Sequence, residues 1–319
     1  MRIKLVVDNV DKKMFIPSVP DTEEGRWSYF NVYYLEDIKN IYNIFLSVGS
    51  VVNTTDLYIL CKQEGVKAEN SEPWSKRKLL EITNCLKKTG FVKDNKPIKG
   101  RIFESQCGQA LTEKDRRVFK EIYLSYFRFK DFHRLFRSTE AIDNEGEEDR
   151  RTLCSVVYAF KEGNRFFNHF YVPERKQEYT ISENNSEIMR FWDVYLKWGE
   201  MLDLTEKVSL KTLGIDNPLR CKDMTLAHFL QPMPSDFSVL SFCVKEYGPS
   251  YVYIPQLYWM IVQRYSFSIR DIKNRLIQEC LEKRSPYRMQ STSKIFVNSQ
   301  ESNILPLVDN RYMSHLLKL

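Results

Sequence analysis

Between Asn31 and Val48 the apolar residues Val32, Leu35, Ile38, Ile41, Tyr42 and Phe45 recur at three- and four-residue steps, which predicts an amphipathic helix. Thr54 is a candidate N-cap for a second helix that runs to Gln63 and stops at Gly65. A third helix is predicted from a capping Ser71, with Pro73 in its first turn, to the closing Gly90. Phe91 and Val92, a turn over Asp94–Pro97 and a strand from Ile98 to Phe103 then make a hairpin.

Further along, Thr112 to Ser138 carries Phe119, Ile122, Tyr123, Tyr126, Phe127, Phe132, Leu135 and Phe136 at helical spacing. Two strands, Thr152–Phe160 and Arg165–Val172, are joined across Lys161–Asn164, where Gly163-Asn164 suits a hairpin turn. A helix with Ile188, Phe191, Trp192, Tyr195 and Trp198 is expected to stop at Gly199. Residues 186–250 are read as a second, degenerate copy of the N-terminal pattern. Helices over Pro255–Tyr265 and Ile269–Lys283 are separated by Ser266-Phe-Ser268, which supplies a cap, and Tyr287–Val297 is expected to pair with Asn303–Val308.

Two helices, a turn, a third helix and a short two-stranded wing are the element order of a winged helix, and residues 31–104 resemble that helix-turn-helix superfamily; 255–308 repeat the order. The resemblance implies nucleic-acid binding. The expected fold is mainly α with short β-hairpins (α+β), as tandem winged-helix modules flanking a mixed centre: 1–110, a linking region 111–185, and 186–319.

The chain has 319 residues, 43% apolar, with 11 glycines and 12 prolines, which excludes a low-complexity or collagen-like polymer. The opening Met1–Asp8 reads as a strand rather than a signal peptide. Without any run of eighteen uncharged apolar residues, and with a mean hydropathy of −0.44, no membrane partner is expected. Seven widely spaced cysteines, with no Cys-x-x-Cys, suit free thiols in a reducing cytoplasm.

The net charge of +6 is unevenly spread. Lys62–Phe103 holds eleven basic and five acidic residues and Pro255–Leu319 ten and five, whereas Ser138–Glu187 holds eleven acidic and six basic. Two basic lobes around an acidic centre favour a polyanionic partner.

Helical projection of the third helix places Leu79, Ile82, Cys85 and Leu86 inward, and Arg77, Asn84 and Lys88 outward with Glu81, flanked by Lys76 and Lys87. Lys93, Lys96, Lys99 and Arg101 decorate the wing, where phosphates are in reach. In the last helix Ile269, Ile272, Leu276 and Cys280 face inward and Arg270, Asn274 and Gln278 outward, an amide-rich stripe suited to base edges. Arg284, Arg288 and Lys294 lie in a following segment of basic and hydroxyl residues that suits phosphate contact. Trp74 and Tyr287, beside basic residues, are candidate stacking rings.

Chemistry-bearing motifs are sparse. His133, His169, His228 and His315 are isolated from one another and from cysteine, so no metal site is expected, and no glycine-rich phosphate loop or cofactor motif occurs. Arg165 with His169, and Glu174-Arg-Lys176 with an aspartate from the acidic loop, are the nearest approaches to a nuclease. The expected function is non-enzymatic binding of double-stranded DNA, as a regulator or as the DNA-gripping subunit of a larger bacterial complex with other protein subunits as partners. A protein-interaction scaffold is the alternative and a metal-dependent nuclease the third reading.

Overall fold

The computed structural model describes residues 31–68, 74–98, 100, 102–126, 129, 137–138, 153–154, 156–162, 165–172, 177–183, 186–209, 212–213, 225–248, 251–282, 285–291 and 299–318. The fold is mixed α and β, in two compact units. One takes the described residues of 31–129 and 186–204, the other those of 137–183 and 205–318. The helix after residue 185 therefore groups with the first unit and the strands before it with the second, a partition different from the consecutive 1–110, 111–185 and 186–319. The Met1–Asp8 strand and the acidic loop 139–150 lie outside the described residues.

In the first unit α1 (Leu35–Val48), α2 (Thr54–Gln63) and α3 (Lys76–Lys88) precede a hairpin of β1 (Val92–Lys93) and β2 (Lys96–Pro97), followed by α4 (Glu113–Ser125) and α5 (Ser186–Met201). The caps differ from expectation. Asn53, in extended conformation, accepts from the Thr55 and Asp56 amides at 3.0 Å each, so Asn53 caps α2 and Thr54 is already helical. Likewise Ser75, accepting from the Lys78 amide at 3.1 Å, caps α3, which begins five residues after Ser71. Gly90 closes α3 as expected: at a φ of 74° it lets the Phe91 amide turn back to the Leu86 carbonyl at 2.9 Å.

The hairpin turn is tighter than the predicted one. Asp94 and Asn95 both take left-handed φ values, 50° and 55°, and the second strand begins at Lys96 instead of Ile98. Pro97 stands opposite Val92, while the flanking Ile98 amide donates to the Phe91 carbonyl at 2.8 Å. A missing N–H at Pro97 thus costs the ladder nothing. The Asn95 carbonyl accepts from the Val51 amide at 2.9 Å, which ties the hairpin tip to the α1–α2 connection.

Helix α4 ends at Ser125, with Tyr126 extended, Phe129 is helical again and Arg137–Ser138 is a strand, so the predicted helix over 112–138 is interrupted after Ser125 and does not reach Ser138. Helix α5 passes through Gly199 to Met201; it is Asp203, at a φ of 55°, that takes the left-handed closing position, with the Leu204 amide donating to the Gly199 carbonyl at 2.8 Å. Leu79, Ile82 and Leu86 of α3 are fully buried, each contributing about 1.5–3 kcal/mol relative to an exposed side chain. Tyr42, Phe91, Phe103, Phe119 and Trp198 form a continuous aromatic core with successive centroids 4.9–6.1 Å apart.

The second unit holds β3 (Arg137–Ser138) paired with β4 (Leu153–Cys154). Its five-stranded antiparallel sheet has the order β7-β6-β5-β9-β8: β5 (Val156–Glu162), β6 (Arg165–Val172), β7 (Gln177–Glu183), β8 (Thr205–Ser209) and β9 (Thr225–Phe229). The expected β5–β6 hairpin is present, closing on Glu162 opposite Arg165. β7 and the β8–β9 pair make the sheet larger than short hairpins alone.

Next come α6 (Val239–Tyr247), β10 (Val252–Tyr253), α7 (Ile254–Tyr265), α8 (Ile269–Leu281), β11 (Tyr287–Ser291), α9 (Ser299–Ile304), β12 (Leu307–Val308) and β13 (Arg311–Lys318). Ser268 caps α8 as expected, accepting from the Arg270 amide at 3.2 Å. The predicted pairing of Tyr287–Val297 with Asn303–Val308 is replaced. β13 runs between β10 and β11 and also pairs β12, while Asn303 and Ile304 end α9. The cause is a second Asp-Asn turn: Asp309 and Asn310, at φ 49° and 59°, reverse the chain between Val308 and Arg311.

Candidate nucleic-acid interface

Helix α3 sorts its side chains sharply. Leu79, Ile82, Cys85 and Leu86 are buried, and Lys76, Arg77, Lys87 and Lys88 are exposed, with Asn84 half-buried between them. Lys78 leaves this face, its Nζ donating to the Asn31 carbonyl at 3.0 Å. Lys76 Nζ reaches Thr55 Oγ1 at 3.3 Å, which joins the start of α3 to the first turn of α2.

Glu81, expected on the outer side, is instead 8% exposed, and its Oε1 accepts from Arg77 Nε at 3.2 Å. The one acid of α3 is therefore withdrawn and neutralised by a neighbour one turn away. Leu80, absent from the predicted surface, is 51% exposed in the middle of it. The helical projection carried that signal, because Leu80 falls far around the helix from Ile82 and Cys85 and beside Asn84 and Lys87.

Lys93 and Lys96 stand opposite each other beside the hairpin tip, both exposed. Lys99 and Arg101 lie outside the described residues, as do Arg284 and Lys294. Trp74 and Tyr287 are not stacking platforms: both are buried, with Trp74 Nε1 donating to the Val66 carbonyl at 2.7 Å and Tyr287 Oη to the Gly248 carbonyl at 2.8 Å.

On α8 the predicted sorting holds for the inward Ile269, Ile272 and Leu276, and for the outward Arg270, Asn274 and Gln278; Cys280 is half-buried. The two ends of the outward stripe differ. Gln278 lines a cavity of about 400 Å³ that also takes in Asp236, Arg275, Glu279 and Glu282. Arg275 donates to the Ser235 carbonyl at 2.7 Å, leaving carboxylates to dominate there. Glu279 is committed to the fold, accepting from the Val239 and Leu240 amides at 3.0 and 2.7 Å as a cap for α6. Arg288 is exposed on β11.

Helix α8 is itself aimed by β8. Glu206 Oε2 accepts from the Ile269 amide at 2.8 Å and lies 3.1 Å from Nε2 of the fully buried His228. The sequence offered no sign of this, since the partners are 63 and 22 positions away. Burial pushes the Cys61 and Cys280 thiols up to about 12 and raises those of Cys85, Cys107 and Cys243, which disfavours thiolate at neutral pH.

Among the described residues, no three His, Cys, Asp or Glu side chains gather as a metal site, and no helix is long and apolar enough to cross a membrane. Residues 173–176, with Glu174 and Lys176, lie outside the described residues. Comparison with protein-family models, curated proteins and solved structures finds no match.

Proposed function

We propose that the chain binds double-stranded DNA without carrying out a reaction on it, as a regulator or as the gripping subunit of a larger complex, through α3 and the β1–β2 hairpin and, in the second unit, through α8. The observation that carries this reading is the solvent face of α3, where four cations, Asn84 and Leu80 are presented while Glu81 is turned inward. Such a face suits the major groove: Lys76, Lys87 and Lys88 meet phosphates, the Asn84 amide offers a donor and an acceptor to adenine, and Leu80 suits a thymine methyl. Lys93 and Lys96 extend the phosphate contact from the hairpin.

Element order supports the same reading. Each unit contains a run of helix, connection, helix, helix and strand with a returning strand, the return being immediate at β2 in the first unit and coming at β13, after α9 and β12, in the second. In the second unit the short β10 between α6 and α7 pairs with the last strand β13, and in the first the α1–α2 connection bonds the hairpin tip. α8 then occupies the reading position, with Arg270 and Asn274 in its N-terminal half, the half that meets base edges in helix-turn-helix docking.

Titration of binding to random duplex with salt tests the proposal. Affinity is expected to fall steeply with salt, with a log–log slope of roughly −0.9 per phosphate contacted. Absence of duplex binding at low salt overturns it and favours the scaffold reading, in which a partner protein covers Leu80.

A further inference from the structure

The β10–β13–β11 sheet has one face in the core and one in solvent. Val252, Leu316 and Tyr287 point inward and are buried. Alternation places their neighbours on the other face, where His315 stands between Tyr253 and Gln290 in register and Leu317 stands opposite Arg288. Tyr251, just before β10, stacks on the His315 ring with centroids 4.3 Å apart and planes 17° apart, and Tyr253 lies 5.1 Å from the same ring. Yet Tyr251 remains 53% exposed and Leu317 47%, while Arg288 and Gln290 are both exposed.

Burial holds His315 below the ordinary histidine range, and the Ser314 hydroxyl lies 2.8 Å from its Nδ1. The ring is thus uncharged at neutral pH and stacks without a desolvated charge. None of the six residues on this face is an acid. A half-exposed ordered stack, a guanidinium and a carboxamide together match a nucleotide: ring for base, cation for phosphate, amide for base edge. A duplex cannot use such a stack, because its bases are already covered on both sides.

We propose that this face binds unpaired nucleotides of a single strand, a base continuing the Tyr251–His315 stack while Arg288 holds a phosphate. The surface is distinct from α3 and the β1–β2 hairpin, and it stands independently of duplex binding there.

The test is fluorescence anisotropy with an oligo(dT) of about a dozen nucleotides and an abasic strand of equal length. The full chain is used with Lys93→Glu, Lys96→Glu and Asn274→Ala, which are expected to weaken the duplex surfaces of the first unit and of α8. Oligo(dT) is expected to bind more tightly than the abasic strand. Tyr251→Ala should weaken oligo(dT) at least about fivefold and erase that preference, with Tyr251→Phe retaining it. Arg288→Ala should weaken both strands alike. Equal affinity for the two strands, or unchanged oligo(dT) affinity in Tyr251→Ala with the fold intact by circular dichroism, overturns the proposal.

Discussion

Arg77 spans one turn of α3 to reach Glu81, Nε to Oε1 at 3.2 Å, with the arginine side chain 76% exposed and the glutamate side chain 10%. The pair places a cation at the surface while hiding its counter-charge beneath, so Glu81 restrains Arg77 without presenting a carboxylate to an approaching polyanion. Glu81→Gln keeps the size and a hydrogen-bond acceptor but removes the charge. It is expected to raise duplex affinity severalfold at low salt and to steepen the salt slope by up to about one phosphate equivalent. An unchanged slope would mean that Arg77 does not face the nucleic acid.

In the proposed duplex complex the hairpin lysines are expected to act through charge alone. Lys93→Glu with Lys96→Glu should weaken every duplex alike and flatten the salt slope by roughly two phosphate contacts, since neither residue is expected to reach a base. Both side chains are exposed, so the fold should be unaffected. A loss confined to one DNA sequence would contradict the phosphate assignment.

Readout along α8 should be graded from one end to the other. Asn274→Ala is expected to cost about 1–3 kcal/mol at the preferred site while leaving non-specific binding nearly unchanged. Gln278→Ala, beside Asp236, Glu279 and Glu282, should change neither. Selection from a random duplex pool separates the cases: discrimination at one base pair should flatten for Asn274→Ala only. The same motif and enrichment for both variants and wild type would remove α8 from sequence readout.

What the sequence made legible were the faces of helices and the identity of tight elements. Buried Leu79, Ile82 and Leu86 and exposed Arg270, Asn274 and Gln278 follow directly from a period of 3.6. Boundaries failed where two residues compete for one local role, as Asn53 with Thr54 and Ser75 with Ser71. They failed again where left-handed positions fell to Asp and Asn in place of Gly, at Asp94-Asn95, Asp203 and Asp309-Asn310. The last of these misplaced the C-terminal strands. Long-range carboxylates were illegible altogether. Glu206 on Ile269 and Glu279 on α6 depend on the fold bringing distant segments together, and no local periodicity encodes that. Glu81 was misassigned because projection places its Cβ near the rim but takes no account of a side chain folding back on Arg77.

Asp115 provides the last prediction. It closes the capping box of α4 with Thr112 and also gathers the amides of Glu104, Thr112 and Ser105 at 2.6, 3.0 and 3.3 Å, together with the Ser105 hydroxyl. Burial alone pushes its carboxyl up, but the bonds from Ser105, Thr112 and Glu104 prevail and hold it below the ordinary carboxylate value of 3.8. A carboxyl depressed in the folded state binds fewer protons than in the unfolded chain. Its stabilisation is therefore complete above the ordinary value and is lost as pH falls through the lowered one. Asp115→Asn, which keeps one acceptor and loses the charge, should destabilise the first unit by roughly 2–3 kcal/mol near neutrality. Urea denaturation followed by hydrogen exchange of the α4 amides measures the difference. The gap between wild type and variant should narrow once the pH drops below about 4. A gap that stays constant into strong acid would show that Asp115 acts by shape and not by charge.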